Sequence, residues 1–142
     1  MKVKCLHVNN GEVPVLIEKY GYYAPQIIHL TRGREYTVCG MYFEAVSIIS
    51  LPTLSYIIRD EYGDAATYPA MLFEVTDSCL TDVEWHFSFN KNDGSFMICY
   101  DDFVNNWEHH DRAILRDEPD RSRYKEWCEM IDKIEAEKEM RR

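Results

Sequence analysis

Three things are missing from this sequence of 142 residues: an apolar run long enough to span a bilayer, a Cys-x-x-Cys pair, and positive charge across its middle. The first absence argues against a membrane-spanning segment. The N-terminus, Met1-Lys2-Val3-Lys4-Cys5-Leu6-His7, enters an alternating pattern at once and has no apolar stretch of secretory type, so the expected location is the cytoplasm. The second absence removes zinc-ribbon and dithiol redox motifs. Cys5, Cys39, Cys79, Cys99 and Cys128 are odd in number and scattered, which predicts reduced, mostly buried thiols.

The third absence is the most telling. Between Asp60 and Asp111 stand Asp60, Glu61, Asp64, Glu74, Asp77, Asp82, Glu84, Asp93, Asp101, Asp102, Glu108 and Asp111, opposed only by Lys91. The formal net charge is −9. A field of that sign repels phosphate, so neither nucleic acid nor an anionic membrane is expected as a partner. It attracts a basic protein and speeds the encounter.

What is present suffices for a core. Apolar residues make up 46% of the chain and aromatic residues 13%, including ten tyrosines, which suit half-buried sheet surfaces and contact surfaces. The length fits one domain over residues 1–142. Residues 1–100 read as mainly β and 101–142 as a helical tail packed on it. Strands are expected over Lys2 to Val8, Val13 to Tyr20, around Tyr36 and Val38, over Leu54 to Arg59, and from Leu72 to Val75. Glu84 to Phe89 and Phe96 to Tyr100 flank the hairpin turn Asn90-Lys91-Asn92-Asp93-Gly94. A single helix opened by Asp101 or Asp102 would carry Phe103, Trp107, His110 and Ile114 on its buried face and stop at Pro119. A second would bury Tyr124, Trp127, Cys128, Ile131 and Ile134, with an end frayed from about Glu135. The fold class is α+β, an antiparallel β-barrel or strongly curved sheet followed by two C-terminal helices.

No catalytic, cofactor or metal motif is legible. His109 and His110 point about 100° apart on a helix and do not readily share one ion. Packing with a hydrogen bond is the expected role of His110. Cys5 beside Lys4 is the nearest approach to an activated thiol, and a packed thiol is the simpler account. Asp101 and Asp102 are explained by helix capping, and Asp60, Glu61 and Asp64 by a Gly-bearing turn. Tyr20, Tyr22 and Tyr23 differ, because they cluster near Gly21 and Pro25, where packing makes no obvious demand.

Two stretches carry a family likeness. The first runs from Leu30-Thr31-x-Gly33-x-Glu35-Tyr36 through Ser55-Tyr56-Ile57-Ile58-x-Asp60 to Tyr68-Pro69-Ala70-x-Leu72-Phe73-Glu74-Val75. The second joins Trp85-His86-Phe87-Ser88-Phe89 to Val104-Asn105-Asn106-x-Glu108-His109-x-Asp111 and Arg116-Asp117-Glu118-Pro119. Over about three quarters of its length the chain resembles a family of small bacterial proteins with an SH3-like barrel and a helical C-terminus, some of them immunity partners of secreted toxins. The segment from Val13 to His29 departs from the shorter family pattern. The resemblance implies a non-enzymatic binder of a basic toxin domain, with no catalytic residues. Toxins that cut nucleic acid hold phosphate in basic clefts, which an acidic partner fills. The expected contact surface is Tyr22, Tyr23, Asp60, Glu61, Tyr62 and Asp64. The rival expectation is a regulatory or scaffold module that binds a host protein or peptide.

Overall fold

Alternation at the N-terminus sets the first strand: Val3 and Cys5 are fully buried, while Lys2 and Lys4 lie on the other face. In the computed structural model, which describes residues 1–8, 29–45, 53–115 and 117–142, this strand is β1 (Lys2–Cys5). It lies between β2 (Glu35–Thr37) and β6 (Phe73–Asp77), antiparallel to both. A second antiparallel sheet has the order β5-β4-β3-β8-β7, built from β3 (Gly40–Glu44), β4 (Thr53–Arg59), β5 (Ala65–Pro69), β7 (His86–Phe89) and β8 (Phe96–Cys99). The expected strand from Val13 to Tyr20 and the tyrosine turn after it lie outside the described residues.

The chain passes between the sheets without a loop. Val38 N–H donates to Met1 in the first sheet, and Cys39 N–H donates to Ile57 in the second, so adjacent residues serve different sheets. Pro69 makes the other crossing: its fixed φ opens a 3-10 turn (Ala70–Leu72) that delivers β6 to the first sheet. β3 is the central strand and was not expected from sequence, because Gly40 opens it. A Cβ there would sit 2.8 Å from Ile57 Cδ1 and 2.9 Å from the Ile98 carbonyl, so only glycine allows this approach.

The tail corrects the single-helix expectation. α1 (Asp101–Asn105) ends at Asn106, whose backbone is extended, and α2 (Trp107–Ile114) begins there, its first turn capped by the Asn106 side chain accepting from His109 N–H. The tail therefore has three helices. Asp101 and Asp102 occupy the first turn of α1 rather than its cap, with no side-chain capping bond. α3 (Asp120–Met140) starts directly after Pro119 and continues beyond Glu135, which is buried and accepts from Thr81 Oγ1 at 2.8 Å. That bond is why the end does not fray where the composition suggested.

Two cores result. On one side of the five-stranded sheet, Cys39, Ile57, Met97 and Cys99 meet Phe103, Tyr124, Trp127, Cys128 and Ile131 from the helices. Trp127 Nε1 donates to the Cys39 carbonyl at 2.6 Å, and Phe103 stacks on Tyr124 at 4.8 Å. On the other side, Tyr56, Ile58 and Tyr68 meet Val3, Cys5, Tyr36, Val38, Leu72 and Phe73. Four of the five cysteines are buried, as expected, and Cys79 is exposed.

Candidate functional site

The turn between β4 and β5 holds four of the residues expected at the contact surface, and it turns most of its carboxylates inward. Asp60 is buried, and one of its oxygens accepts from Tyr62 N–H at 2.9 Å and Asp64 N–H at 3.0 Å. Gly63, at φ +75°, allows the chain to close on that carboxylate. Asp64 accepts from Arg121 Nη2 at 2.6 Å, an arginine buried on α3 that also donates to the carbonyls of Ala65 and Ala113. Glu61 is engaged by Arg34 and by the Tyr36 hydroxyl, and the Tyr36 bond is the main cause of its lowered pKa. Tyr62 stands out, 76% exposed, with an edge contact to His29 at 4.4 Å. Tyr22 and Tyr23 lie outside the described residues. The structure thus brings together Asp60, Glu61, Tyr62 and Asp64, but as a braced corner with one outward aromatic.

The uncovered surface lies elsewhere. The register pairs Phe87 with Ile98, Phe89 with Phe96, and Phe96 with Phe43, so these side chains share the sheet face opposite the helices. The three-stranded sheet covers that face over β4 and leaves β7 open. Phe87 and Phe89 are 58% and 57% exposed and stand parallel at 6.5 Å; Phe87 meets Phe96 at 5.8 Å, and Phe96 stacks on Phe43 at 5.2 Å. Their neighbours His86 and Ser88 point to the helix side, so β7 reverses the usual polarity of an edge strand. Beside it, a groove of about 560 Å³ separates the β7–β8 hairpin from α1 and α2, lined by Tyr42, Ser88, Phe89, Phe103, Trp107 and His110 among others. Trp107 is 70% exposed on its rim. The expectation that Trp107 and Ile114 pack in the core is overturned. Asn106 breaks the helix and rephases it, so α2 buries His109, His110 and Ala113 instead.

Both histidines are accounted for by packing. His110 Nδ1 donates to the Phe103 carbonyl at 3.1 Å, and burial lowers its pKa below the ordinary 6.5. His109 bridges Asp120, 2.7 Å from Nδ1, and the Tyr100 hydroxyl, 2.6 Å from Nε2. An ionised carboxylate only accepts, so Nδ1 donates to Asp120; with a neutral ring, Nε2 then accepts from Tyr100. This order resembles a charge relay, yet Tyr100 is buried and burial raises its pKa, which leaves its hydroxyl protonated and out of reach of a substrate. The chain of bonds ties α2 and α3 to the end of β8. Cys5 also behaves as a packed thiol, its pKa raised by burial. Among the described residues no group of three His, Cys, Asp or Glu side chains is placed to hold a metal ion, and no helix is long and apolar enough to cross a membrane.

Comparisons with family models, curated proteins and solved structures each find no match to this chain. Phe87, Phe89 and Trp107 were the residues that sequence reasoning missed. The alternation in Trp85-His86-Phe87-Ser88-Phe89 was visible, but facing residues Phe96 to Cys99 are apolar on both sides, so the pattern does not say which face is covered.

Proposed function

We propose that this chain is a non-enzymatic cytoplasmic binding protein, an immunity-type partner that neutralises a cognate bacterial toxin by covering its site with an acidic surface. The observation that carries this reading is the position of the uncovered aromatics. Phe87, Phe89 and Trp107 stand within the stretch from Asp60 to Asp111, where Lys91 is the only lysine or arginine. Aromatic anchors in an acidic surround suit a basic protein surface: the rings contribute buried area, and the carboxylates steer the encounter. Burying the exposed half of each phenylalanine would contribute about 1–2 kcal/mol.

The family resemblance supports the same reading. The two sheets, joined at Val38 and Cys39 without a loop, suit a single-domain SH3-like barrel that carries its helical tail at 101–142. The contact surface is centred on the β7–β8 hairpin and α2, with Tyr62 at its margin and Asp60 and Asp64 holding the neighbouring corner. A regulatory or scaffold module binding a host peptide is the second reading, favoured by the open edge of β7.

The test is co-purification from the native host at low salt, followed by co-expression of whatever is retained. A basic protein that arrests growth alone, and is relieved of that effect by this chain, would bear the proposal out. A harmless host protein would point to the scaffold reading. Retention of no basic protein would remove the toxin assignment.

A further inference from the structure

The β7 edge has a geometry that narrows what it receives. Asn90 N–H donates to the Ser95 carbonyl at 2.8 Å, which makes Asn90 and Ser95 a hydrogen-bonded pair at the hairpin end. Such pairs alternate along an antiparallel ladder, so Ser88 with Met97 and His86 with Cys99 are the next two. The peptide groups of Phe87 and Phe89 therefore point away from β8. Among the described residues no backbone group pairs with them, and β7 ends the sheet. Outward backbone groups, exposed rings and an adjoining groove are what an incoming strand uses: main-chain bonds hold it, and pockets read its alternate side chains.

Charge selects the occupant. Glu84 and Asp101 flank His86 at the start of β7, at 3.4 Å and 3.6 Å. Asp93 lines the groove at the hairpin tip, and Glu108 and Asp111 are exposed on α2. Asp111 lies roughly 40° around that helix from Trp107, whereas Arg112 lies roughly 140° away. Lys91 is the hairpin's only cation. A second copy of this chain would bring another net charge of −9 against the same edge, which disfavours self-pairing.

We infer that β7 and the groove between the hairpin and α2 form a docking site for an extended, lysine- or arginine-bearing segment of the partner, which adds to the sheet as a strand and sets an apolar side chain beside Trp107. The site rests on the proposed function only in taking the partner to be a basic protein.

A synthetic peptide of alternating lysine and valine, about six residues long as strands commonly are, is the probe, with a glutamate–valine peptide as its counterpart. Full-length protein should bind the lysine peptide at least about tenfold more tightly, a difference of about 1.4 kcal/mol, and less so as salt rises. The amide protons of Phe87 and Phe89 should become protected from exchange on binding. Phe87→Pro removes an outward N–H and leaves the ladder to β8 intact, so it should abolish binding, while Phe87→Val retains it. Trp107→Lys, at an exposed position that folding does not need, should weaken the lysine peptide and favour the acidic one.

Equal binding of the two peptides, no protection at Phe87 and Phe89, or unchanged binding by Phe87→Pro and Trp107→Lys would overturn the site. So would a protection of β7 that depends on protein concentration, since that identifies a second copy as the occupant. A toxic basic partner whose affinity ignores both variants would leave the function standing and remove this site. Selective peptide binding without any such partner would do the reverse.

Discussion

The corner at Asp60–Asp64 and the surface formed by β7 and α2 look alike as sequence, since both mix carboxylates with aromatic residues. In the fold they are opposites. The corner spends its carboxylates on its own backbone and on Arg121, leaving Tyr62 as the exposed ring. The other surface leaves Glu84, Glu108 and Asp111 exposed, ties Asp93 and Asp101 to their own turn and helix, and turns three large aromatics outward. An acidic residue says little about a partner until the demands of nearby N–H groups and buried cations are met. The turn at Gly63 makes such demands on Asp60, whereas Glu108 and Asp111 stand exposed on α2.

The comparison breaks most visibly at Arg121. Arg121→Ala would remove the buried guanidinium beside Asp64 and its bonds to the carbonyls of Ala65 and Ala113, at a cost of about 3–5 kcal/mol in urea denaturation. Trp127→Ala should cost a similar amount, since it opens the core and removes the indole donor to the Cys39 carbonyl. A loss below about 1 kcal/mol for either would mean that the corner and the helix face are not the rigid half of the molecule.

Asp60→Ala is the next test. It removes the acceptor for two turn N–H groups, at an expected cost of about 1–3 kcal/mol measured by thermal unfolding. Asp60→Asn keeps an acceptor and should recover most of that loss. Glu108→Gln, on the exposed surface of α2, should leave stability within about 0.5 kcal/mol.

Much of the braced half was legible in the sequence. The alternation of Lys2–Cys5, the turn at Asp60–Asp64 and the buried stripe of Tyr124, Trp127, Cys128 and Ile131 follow from local chemistry and stand in the structure, and so, in the open half, does the hairpin at Asn90–Gly94. The uncovered half was harder to read. Asn106 is a preferred cap residue, but the helical spacing of Phe103, Trp107, His110 and Ile114 runs unbroken across it, and its side-chain cap on His109 is what restarts the helix and exposes Trp107. β3 was hidden because Gly40 weakens a strand locally; its value lies in the close approach of Ile57 and Ile98, which are distant in sequence. Likewise Glu135 looked like tail until Thr81, 54 residues earlier, supplied its partner.

A pH titration separates the two halves more finely. His110 is buried neutral, so its folded pKa lies below the ordinary 6.5. As pH falls below 6.5 the unfolded chain takes up a proton that the folded chain refuses, and stability declines until the folded pKa is passed. This site alone contributes a slope no steeper than about 1.4 kcal/mol per pH unit. His110→Gln should flatten that part of the stability curve. Asp132 acts with the opposite sign at lower pH: burial raises its pKa, so the folded chain takes up its proton first and gains stability as pH falls towards the ordinary 3.8. An unchanged acid limb in His110→Gln would show that another group governs it.

The smallest expected effect on stability is at Trp107, and its smallness is informative. The ring is 70% exposed and meets His110 edge-on at 5.3 Å, so Trp107→Ala removes little buried area. Stability should change by no more than about 0.5 kcal/mol, against several for Trp127→Ala. Folding therefore supplies no reason for so large an apolar side chain there, and exposing it carries a solubility cost. If Trp107→Ala instead unfolds the protein as Trp127→Ala does, the ring belongs to the core and the distinction between the braced and the open half fails. If stability holds while affinity for the basic partner falls by tenfold or more, the ring's contribution is to the complex, where an aromatic at the rim of an apolar groove acts as an anchor.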